Sequence, residues 1–357
     1  LPAVLNRAMI RPVSVIIAAI LLLGPLVTVE LGLRALIASG RLQEAPTSNE
    51  FADVSLTNLR RGGQPDVLIM GMSTMRSGIK PDTLERRIES ELGRPVHVQN
   101  VAQGGISLES QRIIVERLAE QGLLPSVVIT GVSPVTLAAE HEGDAEDWFR
   151  RSELGRLWAG CSEVVYEPHA LECWLTQASA LWRWRGHLDE LRVAVTDGIP
   201  RTVEEGGRAL RPSGWLASRP ATAEQLERNL PRALARLDEE ILVSDELADG
   251  WAAFIDELRA HDVEVVALRM PYYQPLVDAA VERNPEWVEQ RDAGYARLEE
   301  AADLPLLEVE GFADAAEAEW FRDPRHLSRT GAPVFTRQLW ATDAVSEPVL
   351  EVLRSAG

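Results

Sequence analysis

Short runs of consecutive apolar residues alternate along most of the chain with longer stretches whose apolar positions recur every three or four residues. Continuous apolar runs are typical of strands buried on both faces, whereas the wider spacing is typical of helices. The predicted strands are residues 67–70, 96–102, 126–132, 263–270 and 305–310, and the helical patterns between them cover 81–93, 107–122 and 284–302. This alternation predicts an α/β domain of three layers, with a mostly parallel five-stranded sheet and helices on both faces.

Two segments depart from this alternation of strand and helix patterns. Residues 140–260 are rich in Trp and charge, have helical periodicity and contain no convincing strand, so they predict a helical insertion in a domain spanning 66–357. Residues 38–65 mix Gly, Pro, Ser and charged residues and predict a linker or an irregular lead-in.

The N-terminal segment, residues 1–37, has a different character. No charged residue occurs from Pro12 to Val29, a run long enough to cross a bilayer core of about 30 Å at about 1.5 Å per residue. Arginines precede the run, which predicts one transmembrane helix (12–29) with a cytoplasmic N-terminus and the main domain outside the cytoplasm. The alternative is a cleaved signal peptide, although Glu30 and Arg34 separate the run from any small-residue cleavage site.

Charge and cysteine content exclude several classes of protein. The 357 residues include 36 Lys and Arg against 55 Asp and Glu, a net charge of −19, and no basic patch suggests nucleic acid as a partner. Only Cys161 and Cys173 occur, which excludes a disulfide-rich scaffold and a multi-cysteine zinc module. In an oxidising compartment we expect these two to form a disulfide, the alternative being a buried pair of thiols.

Ligands of open parallel sheets bind at the carboxyl ends of the strands, so the residues that follow each predicted strand are the candidates for a site. They are Gly71, Ser73 and Arg76; Asn100, Gly104 and Gly105; Gly131, Ser133 and Pro134; Arg269, Tyr272 and Tyr273; and, after the fifth strand, Asp323 and His326.

This set contains the groups that acyl transfer requires. A serine hydroxyl needs a base to become a nucleophile, a carboxylate orients that base, and glycine-lined turns can present N–H groups to an oxyanion. Among the six histidines only His326 follows a strand at this edge with a carboxylate three residues before it. Taken alone, Ser73 could simply end a strand, and Asp323 and His326 could form an exposed turn.

The order Gly-x-Ser, Asn-x-x-x-Gly-Gly, Gly-x-Ser-Pro and Asp-x-x-His resembles the SGNH (GDSL-type) hydrolase superfamily over residues 65–341, apart from 140–260. The resemblance implies that Ser73 is the nucleophile, His326 the base and Asp323 its orienting acid. It also implies an oxyanion hole formed by the backbone N–H groups of Ser73 and of Gly105 or Gly104.

The chain departs from the family pattern at Ser133, which stands where the family has an asparagine that donates to the oxyanion. Loss of one such donor costs about 2.7–4 kcal/mol in known cases. The alternative to an active enzyme is therefore a non-catalytic or degenerate module that binds or scaffolds the cell envelope. A separation within about 3.5 Å between the Ser73 and His326 side chains would argue against that alternative.

A membrane anchor before such a domain is similar to the extracytoplasmic proteins of teichoic acid D-alanylation and alginate O-acetylation. This similarity implies an esterase or O-acyltransferase acting on an acylated saccharide or envelope polymer, beside a membrane-bound O-acyltransferase and with the bilayer as a further partner. No cofactor and no metal are expected.

Four further residues are predicted to bind the substrate: Arg76, Asn100, Tyr272 and Tyr273. Arg76 could contact an anionic group or a structural carboxylate, and the tyrosines could stack on a sugar ring or pack beneath the insertion.

Overall fold

The computed structural model describes residues 21, 23–39, 41–42, 50–137, 157–158, 170–187, 191–192, 202–205, 207–237, 243–312 and 315–356. The described residues fall into two compact units, one within 1–46 and 160–199 and the other within 47–159 and 200–357.

The strands all lie in the second unit. They are β1 (Val67–Ile69), β2 (Val98–Asn100), β3 (Val127–Val132), β4 (Val203–Glu205), β5 (Arg208–Leu210), β6 (Leu216–Ser218), β7 (Glu264–Arg269), β8 (Leu306–Glu308), β9 (Phe321–Asp323) and β10 (His326–Leu327).

The helices are distributed over both units. They are α1 (23–38), α2 (Glu50–Gly62), α3 (Ser73–Gly78), α4 (Pro81–Leu92), α5 (Leu108–Glu120), α6 (Ala170–Ala178), α7 (Ala180–Trp184), α8 (Ala223–Leu234), α9 (Asp245–Ala260), α10 (Gln274–Arg283), α11 (Trp287–Ala302), α12 (Gly331–Ala341) and α13 (Asp343–Ser355).

The main sheet has five parallel strands in the order β2-β1-β3-β7-β8. These are the five strands predicted from the apolar runs, so the α/β class and the parallel sheet are confirmed. The strand order reverses at β1, and in open sheets of this kind the ligand crevice lies at the carboxyl ends of the strands beside that reversal. The loops after β1 and β3 therefore flank the expected crevice.

The helices that cover the sheet follow the predicted pattern because the sequence places capping residues at their ends. Ser107 accepts a hydrogen bond from the N–H of Ser110 at the start of α5, and Gly93 ends α4 in the left-handed conformation. The apolar faces of α4, α12 and α13 meet the sheet in one buried core that includes Leu84, Phe335 and Val349.

Two predictions about the remaining segments are wrong. The insertion contains a three-stranded antiparallel sheet, β4-β5-β6, where no strand was expected. Its strands are only three residues long, too short to show a period-two pattern among charged neighbours. The predicted linker contains α2, which buries Val54, Leu56 and Leu59.

The β4-β5-β6 sheet is anchored to the main sheet by backbone contacts at the end of β2. The N–H of Asn100 donates to the Ser213 carbonyl at 2.8 Å, between β5 and β6. Gly214 follows with a φ of 80°, and a Cβ there would lie 1.7 Å from the Asn100 carbonyl oxygen. Only glycine fits this close approach, so Gly214 fixes where the small sheet attaches.

We expect Gly214→Ala to lower the free energy of unfolding by about 3 kcal/mol or more, because it combines left-handed strain with a backbone clash. Gly207→Ala is the matched control, since Gly207 also has a φ of 80° but its nearest neighbours lie 3.7 Å or more from an added Cβ. Strain alone should cost that variant about 1 kcal/mol. Urea unfolding measures both, and equal losses in the two variants would contradict the close approach.

The first unit joins α1 to the helical pair α6 and α7. Leu33, Leu42, Ala180 and Trp184 form its buried cluster. The Glu30 carboxylate accepts hydrogen bonds from the N–H groups of Ala180 and Leu181 and from the Ser179 hydroxyl, and so caps the N-terminus of α7.

The predicted anchor, residues 12–29, falls largely outside the described residues and stays a prediction. Within the described part of the chain, no helix is both long and apolar enough to cross a membrane. The predicted Cys161–Cys173 disulfide also stays a prediction, because Cys161 lies outside the described residues.

Candidate active site

Ser73 stands where the chain leaves β1 and enters the short helix α3. Two neighbouring segments fix this turn. The N–H of Gln103, in the loop after β2, donates to the Gly71 carbonyl at 2.9 Å. The indole N–H of Trp215, in the turn between β5 and β6, donates to the Ser77 carbonyl at the end of α3 at 3.1 Å. The position of Ser73 is thus determined by both sheets.

Asp323 and His326 lie in a tight antiparallel hairpin formed by β9 and β10, where the two residues face each other in register. The Ser73 hydroxyl oxygen lies 2.8 Å from His326 Nε2, and His326 Nδ1 lies 2.8 Å from Asp323 Oδ1 and 3.0 Å from Oδ2. The carboxylate requires a proton on Nδ1, which leaves Nε2 to accept the serine proton. The structure therefore brings together the three residues predicted from the motifs.

Asp323 is held by two groups that the sequence analysis did not identify. Arg322 Nε donates to Oδ2 at 3.0 Å, and the backbone N–H of Arg325 donates to Oδ1 at 3.0 Å. Arg322 also donates to the Ser218 hydroxyl at 3.3 Å, and the Ser218 carbonyl accepts the N–H of Arg329 at 2.7 Å. The insertion thus reaches the catalytic hairpin through β6 and fixes the orientation of its carboxylate.

Burial and charge keep the two groups in the ionisation states that a base and its orienting acid need. Burial lowers the pKa of His326 to about 4; Asp323 opposes the shift and Arg322 adds to it. Burial alone would raise the pKa of Asp323, but His326, Arg322 and the Arg325 N–H outweigh it and hold that pKa below its usual range. At neutral pH the imidazole is neutral and the carboxylate is ionised.

The fall of activity at acid pH should therefore occur at a lower pH than for a base with an ordinary histidine pKa. A base works only when deprotonated, so we expect kcat/KM for a neutral ester to hold its plateau below the ordinary histidine pKa of 6.5 and to halve near pH 4. Arg322→Gln removes a neighbouring positive charge, makes the imidazolium easier to form and should move the limb to higher pH. A wild-type limb near pH 6.5, with the fold intact by circular dichroism, would contradict this account.

The glycine loop after β2 lies against the nucleophile. A Cβ on Gly104 would lie 3.7 Å from Ser73 Cβ, an ordinary contact, and 3.2 Å from Arg76 Nη2, a tight one. Gly104, one of the two predicted oxyanion-hole glycines, is therefore beside Ser73, and the role of the Gly104 and Gly105 N–H groups as oxyanion donors stays a prediction.

Ser133 does not fill the place of the family asparagine. The Ser133 N–H donates to Thr136 Oγ1 at 3.1 Å. The Ser133 hydroxyl lies 3.2 Å from the same atom and also forms a hydrogen bond with the Tyr272 side chain. Only 3% of Ser133 is exposed. Its hydroxyl is engaged within the loop after β3, so the geometry gives no support to Ser133 acting as an oxyanion donor in place of that asparagine.

Three of the four residues predicted to bind the substrate are buried and contact the protein itself, and their role in substrate binding stays a prediction. Asn100 is fully buried, donates to the Met75 carbonyl at 3.2 Å and accepts the Ala102 N–H at 3.0 Å, so it joins α3 to the glycine loop. The Tyr272 hydroxyl accepts the Val135 N–H at 3.3 Å, and the Tyr273 ring packs 5.4 Å from that of Phe321.

Arg76, the fourth predicted contact, is 8% exposed, and its guanidinium lies beside Gly104 and close to Ser73. Burial, together with the charges of Arg322 and Arg208, lowers the pKa of Arg76 to about 10. It remains a cation at neutral pH and adds positive charge next to the nucleophile.

Comparison with protein-family models finds no match, and no curated protein matches the chain. Three solved structures align with this chain at 12% identity. TesA aligns with a TM-score of 0.33 over 79% of this chain and 98% of its own length. The lipase Lip_vut3 from a goat rumen metagenome aligns with a TM-score of 0.34 over 77% of this chain and 95% of its own, and the lipase/acylhydrolase from Enterococcus faecalis with a TM-score of 0.34 over 78% and 95%. TM-scores this low support no argument about this chain. Its fold and its proposed activity are therefore inferred from its own sheet order and side-chain geometry.

Proposed function

We propose that the chain is a serine esterase or O-acyltransferase of the SGNH type that works through an acyl-Ser73 intermediate. The observation that carries the proposal is the unbroken hydrogen-bonded series from Ser73 through His326 to Asp323, with both contacts at 2.8 Å. The same geometry argues against a degenerate binding module, because a vestigial site has no need to keep a buried, neutral histidine between a serine and a carboxylate.

In the proposed reaction the Ser73 hydroxyl attacks the ester carbonyl carbon while His326 Nε2 takes its proton. Asp323 stabilises the imidazolium that forms. The negative charge on the carbonyl oxygen is met by the N–H groups of Ser73 and of the glycine loop. Collapse breaks the bond to the alcohol, which leaves with the proton from His326, and Ser73 remains acylated.

In the second half of the reaction His326 takes a proton from an acceptor hydroxyl, which attacks the acyl-Ser73 carbonyl. Collapse breaks the bond to Ser73 Oγ, which leaves with the proton from His326, and the acyl group is released on the acceptor. Water as the acceptor gives an esterase, and a sugar hydroxyl gives a transferase. Both use the same residues, so the two activities differ only in which hydroxyl reaches the acyl-enzyme.

The test uses the purified chain and 4-nitrophenyl acetate. We expect a burst of about one equivalent of 4-nitrophenolate followed by slower turnover, the kinetic sign of an acyl-enzyme. Adding an oligosaccharide should accelerate turnover and yield acetylated sugar if the protein is a transferase. Absence of both burst and turnover from folded protein would contradict the proposal.

We further propose that the domain acts outside the cytoplasm, anchored through residues 12–29, on an acylated envelope saccharide and beside a membrane-bound O-acyltransferase. The charge pattern around the apolar run and the motif resemblance support this. A C-terminal alkaline phosphatase fusion should be active and sediment with membranes. An inactive fusion, or one that is released by carbonate washing, would contradict the proposed topology.

A further inference from the structure

The helix that begins with Ser73 is too short to hold its own orientation. Helix α3 covers only Ser73–Gly78, and helices shorter than about 12 residues are marginal in water unless other segments pack on them. The last carbonyl groups of a helix also find no partner within it. Contacts from outside α3 must therefore fix where Ser73 stands.

Trp215, from the insertion, makes such a contact at the end of α3. Its indole N–H donates to the Ser77 carbonyl at 3.1 Å, and only 5% of Trp215 is exposed. The Ser77 hydroxyl in turn donates to the Ser73 carbonyl at 3.0 Å. Two consecutive hydrogen bonds therefore connect the insertion to the backbone of the nucleophile.

The position of Trp215 is in turn fixed by its own neighbours. Its carbonyl accepts the Arg211 N–H at 2.9 Å within the β5–β6 turn, and Gly214 packs on the Asn100 backbone. The indole ring belongs to the main buried core, and the Lys80 ammonium lies 5.1 Å from the ring centre. Trp215 is therefore a fixed point against which α3 can be held.

The segment that contains Trp215 also holds the hairpin that carries His326. Ser218 lies three residues after Trp215 in the chain. Its hydroxyl accepts a hydrogen bond from Arg322 at 3.3 Å, and its carbonyl accepts the Arg329 N–H at 2.7 Å. One short segment of the insertion therefore contacts both the helix of the nucleophile and the hairpin of its base.

We propose that Trp215 is a positioning residue for the acylation of Ser73. Its indole N–H, acting through Ser77, holds the Ser73 hydroxyl at 2.8 Å from His326 Nε2. A misplacement of about 1 Å in a reacting group can cost about 100-fold in rate, so a small tilt of α3 is enough to slow the reaction. The inference rests on the proposed function and gives the insertion a direct part in it.

The experiment follows the burst of 4-nitrophenolate from 4-nitrophenyl acetate by stopped flow. Trp215→Phe keeps a buried ring and removes the N–H. We expect the burst rate constant at saturating ester to fall about tenfold or more, while the half-saturating ester concentration and the burst amplitude of about one equivalent stay unchanged. A purely structural role would instead lower the amplitude, because fewer molecules would be folded, and leave the rate constant as it is.

Trp340→Phe is the matched control. Trp340 lies on α12, is also 5% exposed, and its indole N–H donates to the Glu91 carboxylate at 2.6 Å, so the substitution breaks a similar buried hydrogen bond. This variant should lose melting temperature and keep the wild-type burst rate constant. Equal burst rate constants in wild type, Trp215→Phe and Trp340→Phe would overturn the inference while leaving the proposed function intact.

Ser77→Ala tests the same connection from the other side and decides the matter if Trp215→Phe does not fold. Ser77 is 1% exposed, and its hydroxyl donates to carbonyls of α3 itself, so the loss removes one small group. We expect a slower burst of full amplitude, and a wild-type rate constant here would overturn the inference. Folded wild-type protein without any burst would instead refute the proposed function, and the inference with it.

Discussion

Replacing Ser73 by alanine should lower kcat for 4-nitrophenyl acetate by about 10⁴-fold or more, because the hydroxyl is the group that we propose to become acylated. Burial and the fold should change little, since the lost atom contacts chiefly His326. Steady-state release of 4-nitrophenolate measures the effect against the uncatalysed background. Any activity left in the variant comes from binding and from backbone donors to the oxyanion.

Ser90→Ala is the control for that substitution. Ser90 is exposed on α4, and its hydroxyl donates only to the Arg87 carbonyl, so this variant should retain wild-type turnover. A Ser73→Ala protein that is folded and turns over within tenfold of the wild type would show that catalysis proceeds without an acyl-serine.

Asp323→Asn should lower kcat by about 10³- to 10⁴-fold even though the side chains are nearly the same size. The amide cannot stabilise the imidazolium, and it can offer a donor to Nδ1, which favours the tautomer whose Nε2 carries the proton and cannot accept one from Ser73. The loss of negative charge should also make His326 harder to protonate, because Asp323 raises its pKa in the wild type.

Two observations separate this role from a purely structural one. The burst should disappear from Asp323→Asn while its melting temperature stays close to that of the wild type. Arg322→Gln, which leaves the carboxylate in place, should lose far less activity and shift mainly the pH profile. A loss of activity in Asp323→Asn that is matched by Arg322→Gln would indicate that the hairpin, rather than the carboxylate, had been damaged.

The sequence was sufficient to identify the residues that we propose to react, because they follow strands whose apolar runs are unambiguous. Once 67–70 and 126–132 are strands of a parallel sheet, Ser73 must lie at its carboxyl edge. His326 follows from elimination among six histidines and from the carboxylate three residues before it. The motif order added the roles, and the 2.8 Å contacts agree with them.

The sequence could not identify the residues that support the site, because they depend on contacts between distant segments. Arg322 meets Ser218 across 104 positions of the chain, through strands only three residues long. Asn100, Tyr272 and Tyr273 were placed correctly at the sheet edge, but position along the chain does not reveal whether a polar side chain points to solvent or to a buried backbone group. The structure shows their contacts within the protein, and their role in substrate binding stays a prediction.

The central claim is that Ser73 carries the acyl group. The most direct measurement is peptide mass spectrometry of protein quenched in acid during the burst with 4-nitrophenyl acetate. We expect one added acetyl group, located on Ser73 in the peptide that contains the β1–α3 turn and absent from the Ser73→Ala protein. Burst-phase protein without that adduct, or with the acetyl group on another residue, would contradict it.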